Sequence, residues 1–177
     1  VDLSSLTADG FGHWLAGLID GEGSFTITPN RPGFVCRLSV GLRADDREVL
    51  SLIVSRTGLG KCLGSSRSGG NRKPLVVWRV QRKEDCQAVV ELLRLCPLRS
   101  KKARDFEIWA EAVAVMAAMQ PVHTTYWERR ALDWKRVAEL KKQLAEVREF
   151  REVDLRHAPV AGRSQAGSRA RSEALHR

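Results

Sequence analysis

The sequence predicts an α+β fold in the order α-β-β-α-β-β-α, followed by additional C-terminal helices, and three observations carry that reading. Hydrophobic periodicity switches repeatedly between a helical repeat and strict alternation. Turn-forming residues join the alternating segments two by two, which makes antiparallel hairpins rather than crossover-linked parallel strands. The alternation leaves one strand face apolar and the other polar, as in a sheet covered by helices on one face only.

The first helix is expected over Thr7 to Ile19, with Thr7 or Asp9 as N-cap and Phe11, Trp14, Leu15, Leu18 and Ile19 as its apolar positions. Ser24 to Thr28 then alternates, and Asn30-Arg31-Pro32-Gly33 supplies the turn into a second alternating run, Phe34 to Arg43. Asp45 followed three residues later by Glu48 has the form of a capping box opening a helix over Asp46 to Arg56, which stops at Gly58. Two further strands, Leu59 to Arg67 and Leu75 to Gln81, flank a loop rich in Ser and Gly that carries Arg72 and Lys73. A helix from Lys83 to Leu95 ends before Pro97. Helices near Ser100 to Met119 and Tyr126 to Val153 complete the pattern, with Trp109, Trp127 and Trp134 packing them together. The expected organisation is a core over residues 1–119, a helical extension over 120–157 and a flexible basic tail over 158–177.

The 177 residues carry 30 Lys+Arg against 21 Asp+Glu, a formal charge of +9. Ala158 to Arg177 holds four Arg and one Glu, so 4 − 1 = +3 belongs to the tail and +6 to the body. Such a surplus fits a polyanionic partner. Apolar runs are broken by charges well short of a membrane span, and no basic-then-apolar segment opens the chain, so neither a membrane nor a secretory role is expected. The four cysteines form no CxxC pair and are expected as free thiols in a reducing compartment, which points to an intracellular (cytoplasmic or organellar) location. The four histidines show no metal-ligand spacing.

With Phe25, Ile27, Leu38 and Val40 turned toward the helices, the open sheet face carries Ser24, Thr26, Thr28, Arg37, Ser39 and Arg43, together with Lys61, Ser65, Arg67 and Arg79 from the second hairpin. Cations and short hydrogen-bonding side chains without a carboxylate suit phosphates and base edges, so these residues, with Arg72 and Lys73, are the candidate DNA contacts.

The sharpest signal is the string Leu15-Ala16-Gly17-Leu18-Ile19-Asp20-Gly21-Glu22-Gly23. Gly12, Ala16 and Gly17 are small residues within an otherwise bulky helix, and interior glycine costs about 1 kcal/mol relative to Ala, which implies close approach of another backbone. Glu22 is expected just past the helix C-terminus, where the macrodipole repels a carboxylate by about 0.3–1 kcal/mol. An acid in that position, between two glycines, points to a bound cation.

This string resembles the LAGLIDADG signature at seven of nine positions, departing at Gly21, where Ala is usual, and at Glu22, where Asp is usual. The element order and the segment Pro97-Leu98-Arg99-Ser100-Lys101-Lys102-Ala103-Arg104-Asp105-Phe106 are also similar to LAGLIDADG homing endonucleases, and the resemblance spans about residues 7 to 119. It implies a saddle-shaped antiparallel sheet on double-stranded DNA and Mg²⁺ (or Mn²⁺) at Glu22, with Ca²⁺ binding but not supporting cleavage. With one signature per chain it implies a homodimer, in which Gly12, His13, Ala16, Gly17 and Asp20 lie near the two-fold axis. The residues matching further family roles are Asp46, with Asp45 adjacent, near the attacking water, and Lys101, preferred over Lys102, beside the scissile phosphate. The family's nearby basic position falls on Leu50, with Arg43 or Arg47 as substitutes. A non-cleaving DNA-binding regulator and an intron RNA maturase are the alternatives within the same fold.

Overall fold

In a computed structural model, the described residues are 2–31, 33–65, 73–119 and 126–149. They form α1 (Leu3–Ala8), α2 (Phe11–Glu22), β1 (Gly23–Asn30), β2 (Gly33–Arg43), a 3₁₀ turn (Ala44–Asp46), α3 (Arg47–Thr57), β3 (Lys61–Ser65), β4 (Leu75–Val80), α4 (Lys83–Leu95), α5 (Lys102–Ala118) and α6 (Tyr126–Glu146). The strands make one antiparallel sheet in the order β1-β2-β4-β3. The α+β class and the element order are as the sequence predicts, with one more short helix at the start.

The first predicted helix is corrected into two. Gly10 takes φ 77°, a left-handed conformation that breaks the helical path, so α1 ends at Ala8 and α2 starts at Phe11. Asp9, one of the two expected caps, accepts a hydrogen bond from the Phe11 N–H at 3.0 Å. The C-terminus of α2 also runs three residues beyond Ile19, so Glu22 is its last residue rather than lying just past its end. The capping box is corrected as well: no side-chain hydrogen bond caps α3, and Asp45 pairs with Arg43 instead, Nη2 to Oδ2 at 2.5 Å. A neighbouring guanidinium competes successfully for that carboxylate. The helix expected over Ser100 to Met119 is Lys102–Ala118, and the last one ends at Glu146, with residues beyond 149 outside the described set.

Phe25, Ile27, Cys36, Leu38, Val40, Val76, Trp78 and Val80 line the covered face of the sheet and are buried. Against them pack Leu15 and Ile19 of α2, Leu50 and Ile53 of α3, Val89, Leu92 and Leu93 of α4, and Phe106, Trp109 and Val113 of α5. Val137, Leu140 and Leu144 of α6 belong to the same core, and Trp134 lies over Phe34 with ring centroids 5.9 Å apart. The expected extension is therefore continuous with the core. Trp109 is fully buried and Trp134 half-buried, whereas the side chain of Trp127 lies outside the described ones. Arg148, just after α6, donates to the Asp105 carboxylate at 2.7 Å and to the Phe25 carbonyl oxygen, which ties α6 and α5 to β1. Among the described residues, no helix is long and apolar enough to cross a membrane.

Candidate functional site: the end of α2 and the open sheet face

Strand register decides what shares the open face. Ser24 is opposite Ser39 and Thr26 opposite Arg37, while Ser39 pairs with Arg79 and Arg79 with Lys61. Ser24, Ser39, Arg79 and Lys61 thus form one row across all four strands. Thr26 and Arg37 form the next row, and Thr28 lies beyond it opposite Val35. Arg43 pairs with Leu75, which in turn faces Ser65. The described strand residues of the predicted face thus lie on one side of the sheet, and no strand position on that side among the described residues holds a carboxylate. Lys73 is exposed just before β4, and Arg67 and Arg72 lie outside the described residues.

The cations differ in how far they are engaged. Arg43 is committed to Asp45, and Arg37 Nε donates to Gln81 Oε1 at 3.3 Å. Arg79 Nε is buried with no hydrogen-bond partner among the described residues, so its guanidinium is only partly satisfied by its own chain. Lys61, Leu63, Arg79, Gln81, Arg82 and Asp85 line a cleft together with Gly58 and Gly60. The loop of this cleft is held by Asp85, which accepts from the Gly60 N–H at 3.2 Å.

Glu22 stands where α2 runs directly into β1, since Gly23 is at once the helix C-cap and the first strand residue. Gly23 is required there, because a Cβ would lie 2.7 Å from the Ile19 side chain and as close to its carbonyl. Gly23 pairs with Val40, so Glu22 is at the sheet end where β2 leaves toward Asp46, which is exposed in the 3₁₀ turn. The Glu22 side chain is exposed, and among the described residues it makes no hydrogen bond or ion pair. An exposed carboxylate is a hard oxygen donor that suits a divalent cation such as Mg²⁺. Among the described residues no three acidic, His or Cys groups cluster to enclose one.

The contacts of two residues near Glu22, Lys102 and Asp20, emerge only from the tertiary structure. The Lys102 ammonium donates to the carbonyl oxygens of Asp20 at 3.1 Å and Gly21 at 3.0 Å, placing a cation at the negative end of α2. That charge offsets the repulsion Glu22 meets there. Asp20 accepts from the Arg99 N–H at 2.6 Å, the Ser100 N–H at 3.2 Å and the Ser100 hydroxyl at 2.8 Å. Partial burial raises the Asp20 pKa, but these donors together outweigh it and hold the carboxyl below its ordinary value of 3.8. Asp20 is therefore engaged within its own chain, where it fastens α2 to the start of α5. Lys101 is exposed, and its side chain makes no hydrogen bond or ion pair among the described residues.

The small residues of α2 divide between two faces. Gly12 and Ala16 are buried, and a Cβ on Gly12 would lie 2.8 Å from Cys96 Sγ and 3.2 Å from the Leu6 carbonyl oxygen. They were expected at a dimer axis, and instead they admit α1 and α4 of the same chain. His13 and Gly17 lie on the exposed face with Trp14 and Gly21, four residues apart in the series 13, 17, 21, and a Cβ at Gly17 or Gly21 would meet nothing within 4 Å. Trp14 is 43% exposed. Spacing alone could not separate the faces, because a helix carrying 12, 13, 16 and 17 presents small residues on both.

Fold and site together define a class: an α+β protein in which a glycine-bearing helix ends on an exposed carboxylate where it runs into an antiparallel sheet covered by helices on one face. The chain belongs to the LAGLIDADG endonuclease family, whose profile matches residues 15–113. Among solved structures it is similar to the LAGLIDADG meganuclease I-AabMI bound to uncleaved DNA, at 26% identity and a TM-score of 0.61, over 75% of this chain and 44% of that one. It is also similar to the homing endonuclease I-SmaMI bound to cleaved DNA, at 18% identity and a TM-score of 0.63, over 78% of this chain and 45% of that one. The chain thus spans less than half the length of these two proteins. An archaeal intron-encoded homing endonuclease, I-Vdi141I, complexed with DNA, matches at 20% identity and a TM-score of 0.64, over 85% of this chain and 92% of that one. A comparison with curated proteins finds no match.

Proposed function

We propose that this chain is a site-specific endonuclease that cuts double-stranded DNA as a Mg²⁺-dependent homodimer at a long, partly palindromic target. The observation that carries the reading is the position of Glu22: an exposed carboxylate at the end of α2, beside a sheet face that bears cations and, among the described residues, no acid at a strand position. The acid-free face lies along the DNA, with Lys61, Arg79 and Arg37 against phosphates and base edges and Ser24, Thr26, Thr28 and Ser39 as short hydrogen-bonding partners. Two α2 helices approach through His13, Gly17 and Gly21, where absent Cβ atoms allow close backbone contact, and each brings its Glu22 to the centre. Asp20 and Lys102 hold the end of α2 in place within each subunit.

Glu22 from each copy, with phosphate and water oxygens, would hold Mg²⁺, which supplies Lewis-acid charge to the scissile phosphate and the attacking water. Lys101 sits free to neutralise the charge that grows on the phosphate during attack. Asp46, exposed at the same end of the sheet, accepts the proton of the attacking water. The similarity to proteins crystallised with DNA supports the substrate class.

The test is cleavage of a duplex library in Mg²⁺, with sedimentation of the protein on its DNA. Glu22→Gln is expected to abolish cutting and leave duplex binding within about twofold, and the complex is expected to contain two chains. Tight duplex binding with no cleavage of any sequence would overturn the enzyme reading, and a monomer on DNA would overturn the half-site reading.

A further inference from the structure

The open face is not uniformly polar. One row nearer Glu22 than the Arg79 row, Gly41 pairs with Val77 and Val77 with Leu63, and beyond it Leu75 pairs with Arg43. Leu63 is 38% exposed and Leu75 40%, with Val77 half-buried between them. Leu63 on β3 and Leu75 on β4 are diagonal neighbours whose exposure costs solvation in the free protein; on β2, Gly41 beside Val77 has no side chain to shield the patch, and Arg43 beside Leu75 is paired with Asp45. The next row outward is Ser24, Ser39, Arg79 and Lys61, two residues further along the strands. Two strand residues span about 7 Å, close to two base-pair steps.

Resting on the DNA reading above, we propose that Leu63, Val77 and Leu75 form a thymine-methyl reader within the major groove, about two base pairs nearer the cleavage centre than the contacts of Arg79 and Lys61. Charge complementarity selects the occupant. The patch is bordered by Arg79 and Lys61 and by no strand carboxylate among the described residues, so what covers it is a polyanion that also presents apolar groups. In the major groove of duplex DNA that group is the C5-methyl of thymine, and apolar side chains are its partners. The target half-site therefore has thymines on its inner side and a base that offers acceptors to Arg79, such as guanine, further out.

The experiment uses the full chain in chelator, so that DNA is bound and not cut. A randomised duplex library is selected, and the enriched duplex is remade with deoxyuridine in place of thymidine at the inner positions. Thymine enrichment there is expected, and each methyl removed should weaken binding about fourfold, the factor for one buried carbon group. In the double variant Leu63→Ser/Leu75→Ser the thymine-to-uracil ratio should fall to about one, whereas Arg79→Ala should weaken both duplexes and keep the ratio. Equal binding of the two duplexes by the unaltered protein, or enrichment without inner thymines, overturns the methyl reader alone. Failure to bind duplex of any sequence overturns the DNA reading with it.

Discussion

Asp20 is the residue whose removal tests most directly how the site is held. Its carboxylate receives three donors from Arg99 and Ser100, and Ser100 Oγ in turn accepts from the Lys102 N–H at 3.1 Å, so one side chain organises the entry to α5. A hydrogen bond to a charged group contributes about 1.5–3 kcal/mol when water cannot replace it. These donors are on the exposed side of the molecule, where water can, so the loss resembles that of a helix N-cap, about 1–2 kcal/mol for Asp20→Ala. Asp20→Asn keeps the shape but loses the charge and turns an amide toward a donor, for about 1 kcal/mol. For a chain of this size each kcal/mol lowers Tm by about 2–4 °C. The sign with pH follows from the depressed pKa. The contribution is complete above the ordinary value of 3.8 and is lost as pH falls through the lower folded value. Urea unfolding should therefore show a lower midpoint for Asp20→Ala with unchanged slope at pH 7 and pH 5, and a narrowing gap below pH 4. A variant as stable as the parent at pH 7, or a gap that persists undiminished into strong acid, refutes the argument.

Two further outcomes follow from particular contacts. Gly60 takes φ +67°, and a Cβ there would strike the Arg79 carbonyl oxygen and lie 2.9 Å from Val80 Cγ2, so Gly60→Ala should cost about 3 kcal/mol in urea unfolding, from left-handed strain plus overpacking. Burial pushes the Cys36 and Cys86 thiols up to about 12, while Cys62 is half-exposed. Iodoacetamide at pH 8 should accordingly label Cys62 first, with Cys36 and Cys86 reacting only on unfolding; mass mapping reads this directly.

The elements legible in the chain were those whose signals are local. Lys83–Leu95 is the predicted helix to the residue, because an amphipathic stripe runs up to a proline two residues past its end. The alternation in β1 and β2 sorted polar from apolar faces correctly, since a strand side chain can point only two ways. The misreadings came where one local signal competed with another. Gly10 falls inside the helix expected over Thr7 to Ile19, which its left-handed backbone divides, and the Asp45–Glu48 pair has the form of a cap whose acid Arg43 takes instead.

What the sequence alone determined about this protein is its family signature, with Glu22 inside it, and the polar face of β1 and β2, because each depends on residue type and on a fixed repeat. Only the tertiary structure decided which small residues of α2 face its own core and which face outward. It also decided that Lys102 rather than Lys101 anchors the helix end, and that Asp20 binds the start of α5. Those outcomes pair residues about 80 positions apart, and neither helical spacing nor strand alternation carries information over that distance. Packing selects among the faces and acceptors that the sequence leaves equally available.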